Sequence, residues 1–292
     1  MQMTMHMQEY VLSRDDFITG DKIHQFTQEL NVPSVQYIKM DFIKQRRGNI
    51  VTIRGWRDRN ETIDLSSLDI LVTGHSDYSV DEFDKTILDL PRLKAWFCVN
   101  KNVDHPKLHA IPLGITNKDE PASLGRHKII GNTDRIYEVA CNTPRSRLKN
   151  LVYMNMCVPN YTYEREYITT RFARKSWVTL GIPEISDAGH ETFLRNVRCH
   201  RFAFAPRGNG LDTHRLWECL YLGTIPIVKK HVSMEDFTDL PILFVDDWDD
   251  VTEELLHKTY DEMRQKKYNM HHITIAYWRD KIRELASHLS HL

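Results

Sequence analysis

The chain has 292 residues, a formal net charge of −1 and 27% charged residues. A chain of this length can form one large or two small domains with a sound core. Its near-neutral charge gives no basic field for nucleic acid or an anionic membrane surface. The N-terminus has no signal-peptide pattern, and no apolar run reaches the roughly 18 residues of a membrane span. The five scattered cysteines lack CxxC spacing, which favours reduced thiols and a soluble, cytoplasmic protein.

The first 66 residues carry weak patterns. Residues 35–40 and 50–53 are apolar enough for strands, and the basic, glycine-containing stretch 46–49 between them predicts a hairpin turn.

A clearer alternation of strands and helices follows. Residues 68–73 predict a buried strand, 80–90 a helix, and 93–99 and 108–115 two further strands. Ligands of open α/β sheets bind beyond the carboxyl ends of the strands. We therefore expect the polar loops 74–78 and 100–105 to face one cleft.

Residues 116–148 show little apolar periodicity and predict a domain connection. A second series then begins, with a strand at 151–154, a helix at 163–174 and a last strand at 243–245. The tail carries one apolar helical stripe over 273–289, which we expect to pack on the first domain. The predicted domains are residues 1–130, 131–270 and a C-terminal helix, 271–292.

The most informative stretch spans residues 200–229. It predicts a strand at 202–205, a glycine-rich turn at 206–210, a helix that begins near Asp212 or Thr213, and a strand at 225–228. The first N–H groups of a helix lack partners and the dipole there is positive, so this position favours an anion.

Cations flank the predicted turn. Arg207 and Arg215 can fork onto phosphate oxygens, and Glu218 can accept from sugar hydroxyls. The alternative is a tight turn between strand and helix, with Glu218 and Arg215 as a solvated pair. The candidate nucleotide-binding residues in this stretch are Arg207, Gly208, Asn209, Gly210, Asp212, Thr213, His214, Arg215 and Glu218.

The same stretch resembles the exostosin-like glycosyltransferases. The resemblance rests on Pro206, Gly208, Gly210, Arg215, Trp217-Glu218, Leu222-Gly223 and Ile225-Pro226, with looser similarity over residues 69–115 and 150–256. It implies a GT-B fold, in which two Rossmann-like domains with parallel sheets face a central cleft, and inverting transfer from a UDP-sugar to a glycan. It also implies that Asn155 and Arg165 lie near the donor diphosphate.

The resemblance extends to the anchorless glycosyltransferases of large algal viruses, which makes UDP-xylose a conceivable donor. The residues themselves do not choose between xylose, glucose, galactose and glucuronate.

Sugar transfer with inversion needs a base that removes the proton of the acceptor hydroxyl. Asp77 is the first candidate, because a carboxylate stays ionised at pH 7, and His75 in the same loop is the second. The alternative is that Asp77 caps the helix predicted from residue 80.

The acidic run 246–250 contains Asp247-Trp248-Asp249, a DxD pattern that could hold a divalent metal. Its place between a strand and a helix favours capping instead. The sequence thus predicts no metal and no cofactor besides the donor. Two other classes remain open: another Rossmann-type nucleotide-dependent enzyme, although GxGxxG is absent, and a catalytically inactive nucleotide-sugar or glycan-binding module.

Overall fold

The computed structural model describes residues 5–6, 10, 12–119, 125–145 and 150–289. The strands are β1 (Met5–His6), β2 (Val35–Lys39), β3 (Ile50–Trp56), β4 (Arg59–Asp64), β5 (Ile70–Gly74), β6 (Ala95–Cys98), β7 (Leu108–Ala110), β8 (Asn150–Met154), β9 (Val178–Leu180), β10 (His200–Phe204), β11 (Ile225–Lys229), β12 (Leu243–Val245) and β13 (Lys267–Tyr268). The helices are α1 (Gly20–Glu29), α2 (Met40–Lys44), α3 (Lys85–Leu88), α4 (Arg126–Ile130), α5 (Thr133–Asn142), α6 (Thr162–Phe172), α7 (Asp187–Arg198), α8 (His214–Tyr221), α9 (Glu253–Met263) and α10 (Ile275–Leu289).

Two parallel sheets organise the described residues. The first has four strands in the order β2-β5-β6-β7, and the second has five in the order β12-β11-β10-β8-β9. Their central strands are almost entirely buried and mostly apolar, as expected of parallel sheets covered on both faces. The carboxyl ends of both sheets face one cleft. The predicted α/β class, with two Rossmann-like units and a central cleft, is confirmed.

The prediction for the first 66 residues was partly wrong. Strand β2 pairs in parallel with β5, whereas the hairpin joins β3 to β4. Helix α1 was missed, although Thr19 caps it with a bond from the Lys22 amide. Parallel pairing links residues that are distant in sequence, so the local pattern that suggested a hairpin carried no information about it.

The structure differs from the prediction at two further places, the helix predicted at 80–90 and the connection predicted at 116–148. In place of the helix 80–90, a single 3₁₀ turn at Glu82–Asp84 runs into the short α3. The predicted connection at 116–148 contains α4 and α5, and α5 packs on α7. Residues 120–124 and 146–149 of that connection lie outside the described residues.

Helix α10 packs on α1, and its Trp278 contacts Phe237 at 6.3 Å between ring centroids. Tyr221 of α8 ties three distant segments together: its hydroxyl donates to the carbonyl of Ile273 and accepts from the amide of Ile18, at 2.8 Å each. Within the described ranges, no helix has the length and apolar content that a bilayer crossing requires.

Candidate active site

A cavity of about 730 Å³ lies where the two sheets face each other. Residues 74–77, at the end of β5 and just after it, line it from the first sheet, and residues 183–185, which follow β9, line it from the second. Of the two loops predicted to face the cleft, the first does so through residues 74–77, whereas no residue of 100–105 lines the cavity. The volume is that of a site for a drug-sized ligand or cofactor.

The glycine-rich turn after β10 forms part of the wall, through Gly208, Asn209 and Gly210. Close approach explains both glycines, and neither has a left-handed backbone. A Cβ at Gly208 would lie 3.2 Å from Nη2 of Arg165, and one at Gly210 would lie 2.9 Å from Nδ2 of Asn100. The side chains of Arg165 and Asn100 thus lie so close to the turn that a side chain at either glycine would crowd them.

Helix α8 begins at His214, and its first turn lines the cavity. Thr213 is the N-cap residue, but its side chain makes no capping bond. Asp212 instead accepts from the Thr213 amide at 2.7 Å and from Nε1 of Trp217 at 2.9 Å, and it also accepts from the Leu113 amide at 2.8 Å. Burial raises the pKa of Asp212 to about 7, against the effect of these donors. Asp212 braces the turn against the loop after β7.

Two guanidinium groups line the cavity beside this turn. Arg165 of α6 is buried, with Nε and Nη1 donating to the carbonyls of Arg207 and Cys157 at 2.9 Å each. Arg215 of α8 donates to the carbonyl of Asn155 and lies 4.3 Å from the centroid of Phe193. Burial and the nearby charge of Arg215 lower the pKa of Arg165. The two guanidinium groups lie close together next to a helix N-terminus, so their positive charges repel each other. A bound diphosphate would offset this repulsion.

The remaining residues predicted on this wall have different surroundings. Glu218 lines the cavity with a carboxylate 3.4 Å from Nε of Arg215, and burial raises its pKa although that cation opposes the shift. Asn155 is buried, also lines the cavity, and donates to the hydroxyl of Tyr153 at 3.2 Å. Arg207 is not part of the lining, because its guanidinium lies 4.2 Å from the centroid of the Tyr161 ring.

Asp77 lines the facing wall and is exposed. Its negative charge acts on His214 across the cleft. Burial lowers the pKa of His214, and the charge of Asp77 opposes that shift. The alternative role as a helix cap was wrong, because Asp81 caps the turn at Glu82–Asp84 through a capping box with Asp84. The carboxylate of Asp77 is therefore directed to the same space as the start of α8.

His75 occupies the same loop with a left-handed backbone, φ 54°. Its Nδ1 lies 2.5 Å from the hydroxyl of Tyr37, and its Nε2 lies 2.6 Å from a carboxylate oxygen of Asp21. With both ring nitrogens engaged, the imidazole has no free position for a substrate proton. This geometry favours Asp77 over His75 as the base.

No protein-family model matches the chain, and no curated protein matches its sequence. Among solved structures, an α1,3-fucosyltransferase with GDP-fucose is similar at 10% identity and a TM-score of 0.37, over 68% of this chain and 69% of that one. A second α1,3-fucosyltransferase structure shows 11% identity and a TM-score of 0.39, over 89% and 86%. These similarities are too low to assign a donor or a reaction to this chain.

Several lining residues were missed from the sequence. Arg126 and His127 belong to α4, in the stretch predicted as a connection, and His190 and Phe193 belong to α7. Asn100 does not line the cavity, but its amide bonds to Ser76 and Asp212, which do. A turn of helix within a polar stretch gives no periodic signal, so nothing in the sequence marked Arg126 as a cavity residue.

The acidic run lies elsewhere. Asp247 caps the 3₁₀ turn at Trp248–Asp250, as the sequence favoured, and pairs with Lys229 at 3.2 Å. Asp249 pairs with Arg171 at 2.8 Å. Neither carboxylate lines the cavity. Among the residues the structure describes, no cluster of three His, Cys, Asp or Glu side chains could hold a metal ion.

Proposed function

We propose that this protein is an inverting glycosyltransferase that moves a sugar from a UDP-sugar to a hydroxyl of a glycan acceptor, without a metal. The observation that carries the proposal is the pairing of opposite walls. Arg165, Arg215 and the N-terminus of α8 line one side of the cavity, and the exposed carboxylate of Asp77 lines the other.

The chemistry follows from that arrangement. Asp77 takes the proton of the acceptor hydroxyl as the oxygen forms its bond to the anomeric carbon. The bond between that carbon and the diphosphate oxygen breaks, and both electrons leave with the UDP. Arg165, Arg215 and the first N–H groups of α8 stabilise the extra negative charge of the leaving diphosphate. Attack and departure on opposite faces invert the anomeric centre.

The choice of UDP rests on the exostosin resemblance of the stretch 200–229. UDP-xylose is one proposed donor among the UDP-sugars. Without a metal, neutralisation of the diphosphate falls to the two arginines and the helix terminus.

Replacement of the proposed base gives the direct test. Asp77→Asn keeps the size of the side chain and removes its basicity, so we expect UDP release from a UDP-sugar to fall at least about 100-fold, within the range that general base catalysis contributes. UDP affinity, measured by calorimetry, should stay within about twofold of wild type. Unchanged turnover would remove Asp77 from the mechanism.

UDP release and UDP binding by the wild type distinguish an active glycosyltransferase from an inactive binding module. Steady release of UDP from at least one of UDP-xylose, UDP-glucose, UDP-galactose or UDP-glucuronate supports the enzyme. Saturable binding of UDP without turnover would identify an inactive nucleotide-sugar-binding module, and absence of UDP binding would contradict both.

A further inference from the structure

Asn100 follows β6 and reaches into the contact between the two sides of the cleft. Its side chain is buried, at 3% relative exposure, and its backbone is left-handed, with φ 61°. Asparagine adopts this conformation more readily than most non-glycine residues.

The amide makes one hydrogen bond to each proposed functional loop. Its Nδ2 donates to the carbonyl of Ser76 at 3.1 Å, and its Oδ1 accepts from the amide of Asp212 at 2.8 Å. A carbonyl can only accept and an N–H can only donate, so the two partners determine the orientation of the amide.

The two partners lie next to the two sets of residues that the proposed reaction uses. Ser76 precedes Asp77, and Asp212 stands just before the N-cap of α8. Gly210 leaves the space for the amide, because a Cβ there would lie 2.9 Å from its Nδ2. A single planar group thus spans from the loop of the proposed base to the loop of the proposed donor site.

We propose that Asn100 is a positioning residue, which sets the distance between the carboxylate of Asp77 and the sugar held at α8. This inference rests on the proposed function. Asn100 does not need to contact the substrate, because it acts through the Ser76 carbonyl and the Asp212 amide. Misplacement of reacting groups by about 1 Å can reduce a rate about 100-fold, so the loss of either bond should affect turnover.

Two substitutions separate the two bonds. Asn100→Asp keeps the shape and the tolerance of the left-handed backbone, and its carboxylate can still accept from Asp212. When ionised, it can no longer donate to Ser76. Asn100→Gly keeps the backbone conformation and removes both bonds. Asn102→Asp, two residues away and exposed, is the matched control for an added charge.

The experiment measures UDP affinity by calorimetry. It also measures the rate of UDP release at saturating UDP-sugar, with the one of the four UDP-sugars named above that the wild type hydrolyses fastest. For Asn100→Asp we expect UDP affinity within about threefold of wild type and a turnover at least about tenfold lower at pH 9, consistent with misplacement of the base. Asn100→Gly should lose UDP affinity as well as turnover, and Asn102→Asp should match the wild type.

Turnover of Asn100→Asp within about twofold of wild type at pH 9 would overturn the positioning role. So would a parallel loss of UDP affinity and turnover in that variant, because that result indicates a purely structural defect. These outcomes leave the proposed function intact if the wild type releases UDP. A wild type that neither binds UDP nor releases it contradicts the proposed function itself.

Discussion

At the scale of single residues, the arginines show how position decides chemistry. Arg207 and Arg165 have the same charge, and both lie close to the glycine-rich turn. Arg165 is buried against the cavity, held by two carbonyls, whereas Arg207 stacks on Tyr161 outside the lining. A diphosphate in the cavity would contact the first of them and not the second.

The two arginines therefore give a matched pair of variants. Arg165→Lys keeps a charge but loses the planar fork, and we expect UDP affinity to fall about tenfold or more, since a hydrogen bond to a charged group contributes about 1.5–3 kcal/mol. Arg207→Lys should stay within about twofold of wild type in the same calorimetric titration. Equal losses in the two variants would contradict the placement of the diphosphate.

Two buried histidines predict how stability depends on pH. Burial lowers the pKa of His24 to about 4 and that of His190 to about 4, with cationic neighbours acting in the same direction. The unfolded chain therefore binds more protons than the folded one between about pH 6.5 and 4. The stability that neutral histidines allow is present above pH 6.5 and is lost as the pH falls through this window.

We expect the free energy of unfolding, from urea titrations, to fall between pH 7 and 4.5 in the wild type, with a smaller fall in His24→Phe/His190→Phe. His288→Phe, at an exposed position, is the control and should keep the wild-type dependence. An unchanged slope in the double variant would assign the acid sensitivity to other groups.

At the scale of elements, the acidic run 246–250 resembles a metal-binding motif in sequence, but its carboxylates have local structural roles. The pattern of two aspartates around Trp248 matches a metal-binding motif by residue type alone. Its carboxylates cap a turn and pair with Lys229 and Arg171, away from the cavity. The neighbouring elements thus supply partners that leave the aspartates no part in the site.

Removal of divalent metals should therefore leave the proposed activity unchanged. We expect UDP release to be unchanged in EDTA and after dialysis against a chelator, because the proposed charge neutralisation comes from arginines and the start of α8. Asp247→Ala should lower thermal stability slightly through loss of a cap, which contributes about 1 kcal/mol, and should not alter turnover. Loss of activity in EDTA that Mg²⁺ or Mn²⁺ restores would contradict the metal-independent mechanism.

At the scale of the whole molecule, buried hydrogen bonds join segments that are far apart in sequence. Tyr221 is 3% exposed and links α8 to the carbonyl of Ile273 and to the amide of Ile18. Asp212 and His214 bind the backbone of Leu113 and Gly114, at 2.8 and 2.7 Å. The start and end of α8 are thus both tied to other parts of the chain.

Tyr221→Phe tests this linkage, because it removes the hydroxyl and leaves a buried donor and a buried acceptor without that partner. Each unsatisfied group costs about 1–3 kcal/mol, so we expect the free energy of unfolding to fall by about 2–4 kcal/mol. Tyr163→Phe, at a side chain that is 88% exposed, should change it by less than about 0.5 kcal/mol. Similar small losses in both variants would show that the linkage contributes little.

The sequence by itself determined the local units of this protein. The apolar runs at 68–73, 93–99, 151–154 and 202–205 predicted buried strands at β5, β6, β8 and β10, and the turn before α8 was located correctly, because each signal lies within a few adjacent residues. The apolar run at 68–73 also indicated a buried parallel strand, and β5 pairs in parallel with both of its neighbours.

Only the tertiary structure decided which side chains share the cavity. Arg126 and His190 were unmarked in the sequence, Arg207 was marked and lies outside the lining, and Asn100 gained its two partners from residues 24 and 112 positions away. Periodicity reports which face of an element is buried. It contains no information about which loops meet after the two sheets pack, since that depends on contacts between residues far apart in the chain.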